Sequence, residues 1–85
     1  MSDAPTTPHV TLYGRPGCRL CDEARGVLLA LRDEGISFEL RELNIDDDER
    51  LLRLLLERIP VIEVDGREVS ELVPDSPALR AALSA

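Results

Sequence analysis

Two cysteines three positions apart lie where a strand pattern gives way to a helix pattern, and this junction constrains the fold more than any other feature. Residues 9–13 (HVTLY) alternate polar and apolar side chains, as a half-buried strand does. Residues 14–17 (GRPG) interrupt that alternation. Residues 18–34 then show the spacing of an amphipathic helix. Its predicted inner face consists of Leu20, Ala24, Val27, Leu28 and Leu31. Cys18 and Cys21 are therefore predicted in the first turn of a helix that follows a strand.

A second strand and a second helix are predicted next. Residues 36–43 (ISFELREL) alternate apolar and polar side chains, which indicates a strand. Residues 44–48 (NIDDD) signal the start of a helix, with Asp46 three residues before Glu49, the spacing of a capping box. We expect this helix to extend to residue 58. Its predicted inner face comprises Leu51, Leu52, Leu55 and Ile59, widened by Leu54 and Leu56.

The last part of the chain predicts a hairpin and a terminal helix. Residues 60–64 (PVIEV) and 67–72 (REVSEL) flank an Asp-Gly dipeptide, which is typical of a two-residue hairpin turn. Ser76 as the N-cap, with Pro77 in the first turn, predicts a helix to the end of the chain.

The predicted order is β-α-β-α-β-β-α, which indicates an α/β protein. The first two strands are joined by a helix and should be parallel, and the last two form an antiparallel hairpin. One mixed four-stranded sheet flanked by helices accounts for every element. Eighty-five residues support one core, so we predict a flexible tail over residues 1–8 and a single domain over residues 9–85.

The net charge of −7 limits the classes of partner. Nucleic acids and anionic membranes are bound by basic surfaces, so we expect neither as a partner. The chain shows neither the basic and apolar start of a signal peptide nor an apolar run long enough to cross a bilayer. We therefore expect a cytoplasmic protein, and in that reducing compartment a close cysteine pair is usually catalytic or metal-binding.

A cysteine at the start of a helix has a specific chemical advantage. The thiolate is the nucleophilic form, and the unpaired N–H groups and positive dipole end of a helix stabilise it. Cys18 is thus the predicted nucleophile. Cys21, one turn further on, is near enough to attack a mixed disulfide formed on Cys18 and to release the reduced substrate.

Two other functions remain open for the same cysteines. The first is a metal or iron–sulfur cluster module. Two thiolates are too few for a closed zinc site and the only histidine is His9, so such a module would need ligands from a second subunit or an external thiol. The second is a non-catalytic interaction domain that keeps the fold.

Pro60 opens the third predicted strand directly after a helix. Alone, such a proline indicates a helix stop. With a cysteine pair upstream in this β-α-β-α arrangement, a cis peptide between Ile59 and Pro60 is the better interpretation. We expect that turn to present the Ile59 amide and carbonyl beside Cys18, where they would pair with an extended substrate backbone.

These residues resemble the glutaredoxin family over roughly residues 9–80. The resemblance rests on VTLYGRPGCRLC (residues 10–21), on Ile59-Pro60 at the start of a strand, and on the VDG hairpin at residues 64–66. It implies a thioredoxin-like fold and a reductase of protein or glutathione mixed disulfides.

The resemblance also implies roles for site residues. Cys18 would attack, Cys21 would resolve, Pro60 would frame the substrate, and Arg15 would lie near a glutathione carboxylate. Leu20 stands where the family has an aromatic ring bordering the glutathione groove. The family's Gly-Gly and Asp before the last helix are replaced by residues 69–76 (VSELVPDS). No tightly bound cofactor or metal is expected; glutathione would be a co-substrate, and the protein a monomer.

Overall fold

Four strands form one sheet in the computed structural model, which describes residues 7–84. The elements in chain order are β1 (His9–Gly14), α1 (Arg19–Asp33), β2 (Glu39–Asn44), a 3₁₀ turn (Ile45–Asp47), α2 (Glu49–Leu55), β3 (Val61–Val64), β4 (Arg67–Glu71) and α3 (Ser76–Leu83). The sheet order is β2-β1-β3-β4, with β1 parallel to β2 and the other pairs antiparallel. The predicted α/β class and mixed four-stranded sheet are confirmed.

Apolar side chains form a separate cluster on each side of the sheet, because successive residues of a strand point to opposite faces. The larger cluster joins alternate residues of β1 and β3, such as Leu12 and Ile62, to the inner sides of α1 and α3. The smaller cluster contains Cys21, Ile45, Leu55, Ile59 and Val61, with Tyr13, Cys18, Leu51 and Leu52 packed against it. The cysteine pair therefore lies at the end of the sheet that the smaller cluster fills.

Helix α1 begins and ends one residue inside its predicted bounds. Its buried residues are Cys21, Ala24, Leu28 and Leu31. Leu20, predicted on the inner face, is 37% exposed, so that prediction was wrong. The buried stripe begins instead at Cys21, which lies one helical turn before Ala24 on the same side.

Strand β2 begins three residues later than predicted, at Glu39. The amide of Ile36 still donates to a carbonyl in the last turn of α1, at 3.2 Å. Arg32, also in that turn, donates to the Phe38 carbonyl at 3.0 Å and lies over the Phe38 ring. Residues 36–38 therefore form the connection between α1 and β2, since the pairing of β1 with β2 begins only at His9 and Glu39.

Two helix caps differ from the predicted ones. Asn44 caps the 3₁₀ turn, so Asp46 falls inside that turn. Asp48 caps α2 instead, accepting from two backbone N–H groups at 2.9 and 3.3 Å. Asp75, rather than Ser76, caps α3 and accepts from a first-turn N–H at 3.0 Å. Each of these two α-helices starts at the residue whose carboxylate accepts from the first-turn N–H groups. Several neighbouring polar side chains are also hydrogen-bond acceptors, so the sequence alone did not identify the cap.

Helix α2 is shorter and less buried than predicted. It ends at Leu55, and the chain then turns toward Ile59, which is buried outside the helix. Leu54 and Leu56 are 63% and 43% exposed, so the prediction that they widen the inner face was wrong. Seven helical residues form only two turns, and one side of these turns meets the sheet.

The predicted hairpin turn is confirmed. Asp65 and Gly66 have φ values of 52° and 82°, the left-handed conformations that a two-residue type I′ turn requires. The turn joins β3 and β4 in antiparallel register.

The predicted tail lies mostly outside the described residues, as does Ala85, and the predicted domain bounds stay a prediction. Of the helices within residues 7–84, none has the length and apolar character needed to cross a bilayer.

Candidate active site

The sulfur of Cys18 caps the N-terminus of α1. Cys18 has an extended backbone (φ −97°, ψ 110°), and its Sγ accepts a hydrogen bond from the Cys21 N–H at 3.1 Å. The loop from β1 reaches this cap through Gly17, whose φ of 77° lies in the left-handed region that favours glycine. The predicted position of the pair is confirmed, and it places the Cys18 sulfur where helix amides stabilise negative charge.

Cys18 and Cys21 are joined by a disulfide, with their Cα atoms 5.2 Å apart. Cys18 is half-buried, whereas Cys21 is only 2% exposed and belongs to the smaller core cluster. An incoming reactant can therefore reach one sulfur of the pair far more easily than the other.

The Ile59–Pro60 peptide bond is cis, as predicted. Ile59 lies in the buried cluster that contains Cys21 and against which Cys18 packs. The expectation that the Ile59 amide is open to a substrate was wrong. That amide donates to the Leu55 carbonyl at 3.0 Å, because the chain keeps turning beyond the end of α2. Within residues 7–84, no backbone N–H outside the helices and strands donates to the Ile59 carbonyl.

Arg15 lies on another side of the pair. Its exposed guanidinium is 3.1 Å from the carboxylate of Asp46. Arg15 also lines a cavity of about 240 Å³ between α1 and the ends of β1 and β2, with Gly14 and Cys21 among its walls. The cavity reaches Cys21 from the β2 side, whereas Ile59 and Pro60 lead into β3.

The ion pair between Arg15 and Asp46 was not predicted from the sequence. The parallel register pairs Gly14 with Asn44, so the residues that follow the two strands meet at the same sheet edge. Arg15 and Asp46 come after those paired ends. The signal that could have found the ion pair is thus the register itself, once β1 and β2 are recognised as parallel.

The residues before α3 make hydrogen bonds to one another and to the turn at Pro60. The Asp75 carboxylate caps α3, and the backbone N–H of Asp75 donates to the Ser70 hydroxyl at 2.9 Å. Leu72 has a φ of 61°, a left-handed conformation that is rare for a leucine. Its N–H donates to the Pro60 carbonyl at 2.9 Å, which ties this stretch to the turn beside the cysteines.

Tyr13 packs against the smaller core cluster. No role beyond its place in β1 was predicted for it from the sequence. Its phenol donates to the Glu63 carboxylate at 3.1 Å. Partial burial, followed by this hydrogen bond and the Glu63 charge, raises the pKa of Tyr13 above its ordinary value of 10.0.

This shift predicts a loss of stability in strong alkali. Because the folded-state pKa of Tyr13 exceeds the unfolded one, its contribution is complete below about pH 10 and is lost as pH rises through the folded-state pKa. Tyr13 is the only tyrosine and the chain has no tryptophan, so the absorbance of phenolate reports this group alone.

We expect the native protein to titrate above pH 10 and the Glu63→Gln variant to titrate lower than the native protein. A native titration at or below the value of the unfolded chain would contradict this prediction.

Within residues 7–84, no group of three or more His, Cys, Asp or Glu side chains is arranged to hold a metal ion. A metal or cluster function would need further ligands beyond the two cysteines.

The chain has counterparts among known proteins. A family model described as Glutaredoxin-like domain (DUF836) matches residues 9–84. A protein from Nitrosomonas europaea, solved by NMR, is 34% identical over 98% of this chain and 99% of its own, with a TM-score of 0.82. An X-ray structure from X. campestris is 37% identical over 88% of this chain and 95% of its own, with a TM-score of 0.72.

A more distant likeness concerns the fold alone. Glutaredoxin 1 from Francisella tularensis is 20% identical, covers 88% of this chain and 91% of its own, and gives a TM-score of 0.59. A comparison with curated protein sequences gives no match.

Proposed function

The chain belongs to the glutaredoxin-like domain family, and on that premise we propose that it is a thiol–disulfide oxidoreductase that reduces protein disulfides or glutathione mixed disulfides. One observation carries the proposal. The Cys18 sulfur caps α1 at a half-buried position, and Cys21 lies within bonding distance of it.

The proposed reaction consists of two exchanges. The Cys18 thiolate attacks one sulfur of the substrate disulfide and releases the other as a thiolate, which takes up a proton. Cys21 loses its proton and attacks the Cys18 sulfur, which closes the Cys18–Cys21 disulfide and releases the second substrate thiol. Two electrons pass to the substrate, and an external thiol, for which we propose glutathione, restores the dithiol.

The helix end and the burial of Cys21 divide the two roles. The Cys21 N–H that donates to the Cys18 sulfur stabilises negative charge on it, which favours Cys18 both as nucleophile and as leaving group. Burial keeps Cys21 from external disulfides but not from Cys18. This asymmetry supports attack by Cys18 and resolution by Cys21.

The surroundings support an extended polypeptide as substrate. Leu20 is exposed next to the cysteines. We propose that the Ile59 carbonyl accepts a hydrogen bond from a substrate N–H beside Pro60. Asp46 already pairs with Arg15, which weakens the proposed contact between Arg15 and a glutathione carboxylate. We therefore propose protein disulfides as the preferred substrates.

Three further proposals concern the working unit, the co-substrate and the compartment. Both thiols come from the same helix start, so we propose a monomer as the working unit. Glutathione, where used, would be a co-substrate rather than a tightly bound cofactor. A reducing compartment such as the cytoplasm would regenerate the dithiol.

Catalysed reduction of a small disulfide-bonded protein, with dithiothreitol as electron source, tests this proposal. The wild-type protein should accelerate the reduction, and a matched variant with serine at both cysteines should not. Equal rates with the two proteins would overturn the proposal.

A further inference from the structure

Gly14, the last residue of β1, lies directly against the side chain of Cys21. A Cβ atom placed on Gly14 would be 2.9 Å from the Cys21 Sγ and 3.1 Å from the Cys21 Cβ. Such distances are shorter than side chains in folded proteins tolerate without movement. The φ of Gly14 is not positive, in contrast to Gly17, Gly35 and Gly66. The requirement for glycine here thus comes from the neighbouring cysteine and not from the backbone.

Both partners in this contact are held in place. Gly14 is buried and pairs with Asn44 in the parallel ladder, which fixes its Cα relative to the sheet. Cys21 lies in the first turn of α1, where it and Ala24 form the start of the buried stripe. A side chain at position 14 could not be accommodated by moving only a flexible surface group.

We propose that Gly14 is a positioning residue for the dithiol–disulfide couple. By lacking a side chain, it leaves the space that the Cys21 sulfur occupies when bonded to Cys18. This inference deepens the proposed function and rests on its dithiol chemistry. It assigns the glycine before the cysteine loop a part in setting the balance between the oxidised and reduced forms.

The effect of an added methyl group differs between the two forms. In the disulfide, the bond to Cys18 holds the Cys21 sulfur against position 14. In the dithiol, that sulfur is free to rotate about the Cα–Cβ bond of Cys21 and move away. Gly14→Ala should therefore destabilise the disulfide more than the dithiol and make the protein a stronger oxidant.

The equilibrium with dithiothreitol measures this balance. The protein dithiol gives two electrons and two protons to oxidised dithiothreitol, which yields the protein disulfide and reduced dithiothreitol. We expect Gly14→Ala to lower this equilibrium constant about tenfold, which corresponds to about 30 mV for a two-electron couple. The fractions are read by acid quenching, alkylation and mass spectrometry.

Gly26→Ala is the matched control. Gly26 lies in α1, and a Cβ there meets nothing within 4 Å. The same chemical change should leave the equilibrium constant unchanged. A Gly14→Ala constant equal to that of the wild type would overturn the proposal, because a merely structural role of Gly14 would alter stability without altering the redox balance.

A second measurement applies even where Gly14→Ala folds poorly. In a Cys21→Ala background the sulfur is gone, so adding Gly14→Ala should lower the denaturation midpoint less than it does in the oxidised wild-type protein. An equal loss in both backgrounds would contradict the proposed contact. The dithiothreitol equilibrium involves no protein substrate. The effect of Gly14→Ala on this equilibrium can therefore be measured even if the protein does not reduce protein disulfides, so the two proposals can fail separately.

Discussion

Replacing Cys18 with serine should reduce turnover of a protein disulfide to the uncatalysed rate, whereas Cys21→Ser should stop the reaction at a mixed disulfide. The first variant loses the nucleophile, since a serine hydroxyl is not ionised under these conditions. The second retains the nucleophile and loses only the group that resolves its adduct. The rate of reduction with dithiothreitol tests Cys18→Ser. The mass of the adduct that reduced Cys21→Ser protein forms with the substrate, after dithiothreitol has been removed, tests Cys21→Ser.

The two serine variants also serve as controls for each other. Serine is a favoured N-cap, so Cys18→Ser should keep the start of α1 intact, and both variants should unfold cooperatively. If the Cys18→Ser protein formed an adduct on Cys21 as fast as the wild-type protein reacts with the substrate, the assignment of Cys18 as the nucleophile would be contradicted. Loss of activity in both variants without any trapped adduct would contradict it as well.

Leu28→Ala should cost about 2–5 kcal/mol of unfolding free energy, as truncations of fully buried leucines do. Leu28 has no exposed surface and joins α1 to the larger core cluster. Small domains are stable by only about 5–15 kcal/mol, so this one change removes a large part of the total. Equilibrium denaturation by urea, monitored by circular dichroism, measures it.

Leu29→Ala is the matched control for this prediction. Leu29 is the next residue of the same helix and is exposed. Its truncation should change the unfolding free energy by no more than about 0.5 kcal/mol. Similar losses from both truncations would mean that the helix does not bury the side that the structure assigns to it.

The order of elements and the cysteine junction could be predicted because each rests on a periodic pattern. Alternation in residues 9–13 and helical spacing after Cys18 placed the pair at a strand-to-helix junction, and the structure has it there. The cis bond before Pro60 was predicted from that arrangement rather than from the proline alone.

Helix starts were harder to predict because several neighbours had the same chemistry. Residues 44–48 offer an asparagine and three aspartates, each able to accept backbone N–H groups. The structure uses Asn44 for the 3₁₀ turn and Asp48 for α2, a choice set by where the chain leaves β2. The same ambiguity led to Ser76 in place of Asp75.

The burial of the leucines around α2 was predicted wrongly because the sequence does not show how much of the helix surface packs against the core. Leu54 and Leu56 have the same chemistry as Leu55, yet only Leu55 lies on the side of the short helix α2 that meets the core. The Ile59 amide was predicted to be open on the basis of the cis turn at Pro60, and that prediction did not include its hydrogen bond to the Leu55 carbonyl. Contacts of this kind depend on the path of the backbone, which side-chain patterns do not specify.

The reactivity of the two reduced cysteines toward iodoacetamide, resolved by residue with mass spectrometry across pH, tests the central claim most directly. With its sulfur at the end of α1, Cys18 should be alkylated well below about pH 8 while Cys21 stays protected. Alkylation of both residues at equal rates, and only near the pH of about 8.5 at which a free cysteine ionises, would contradict the account.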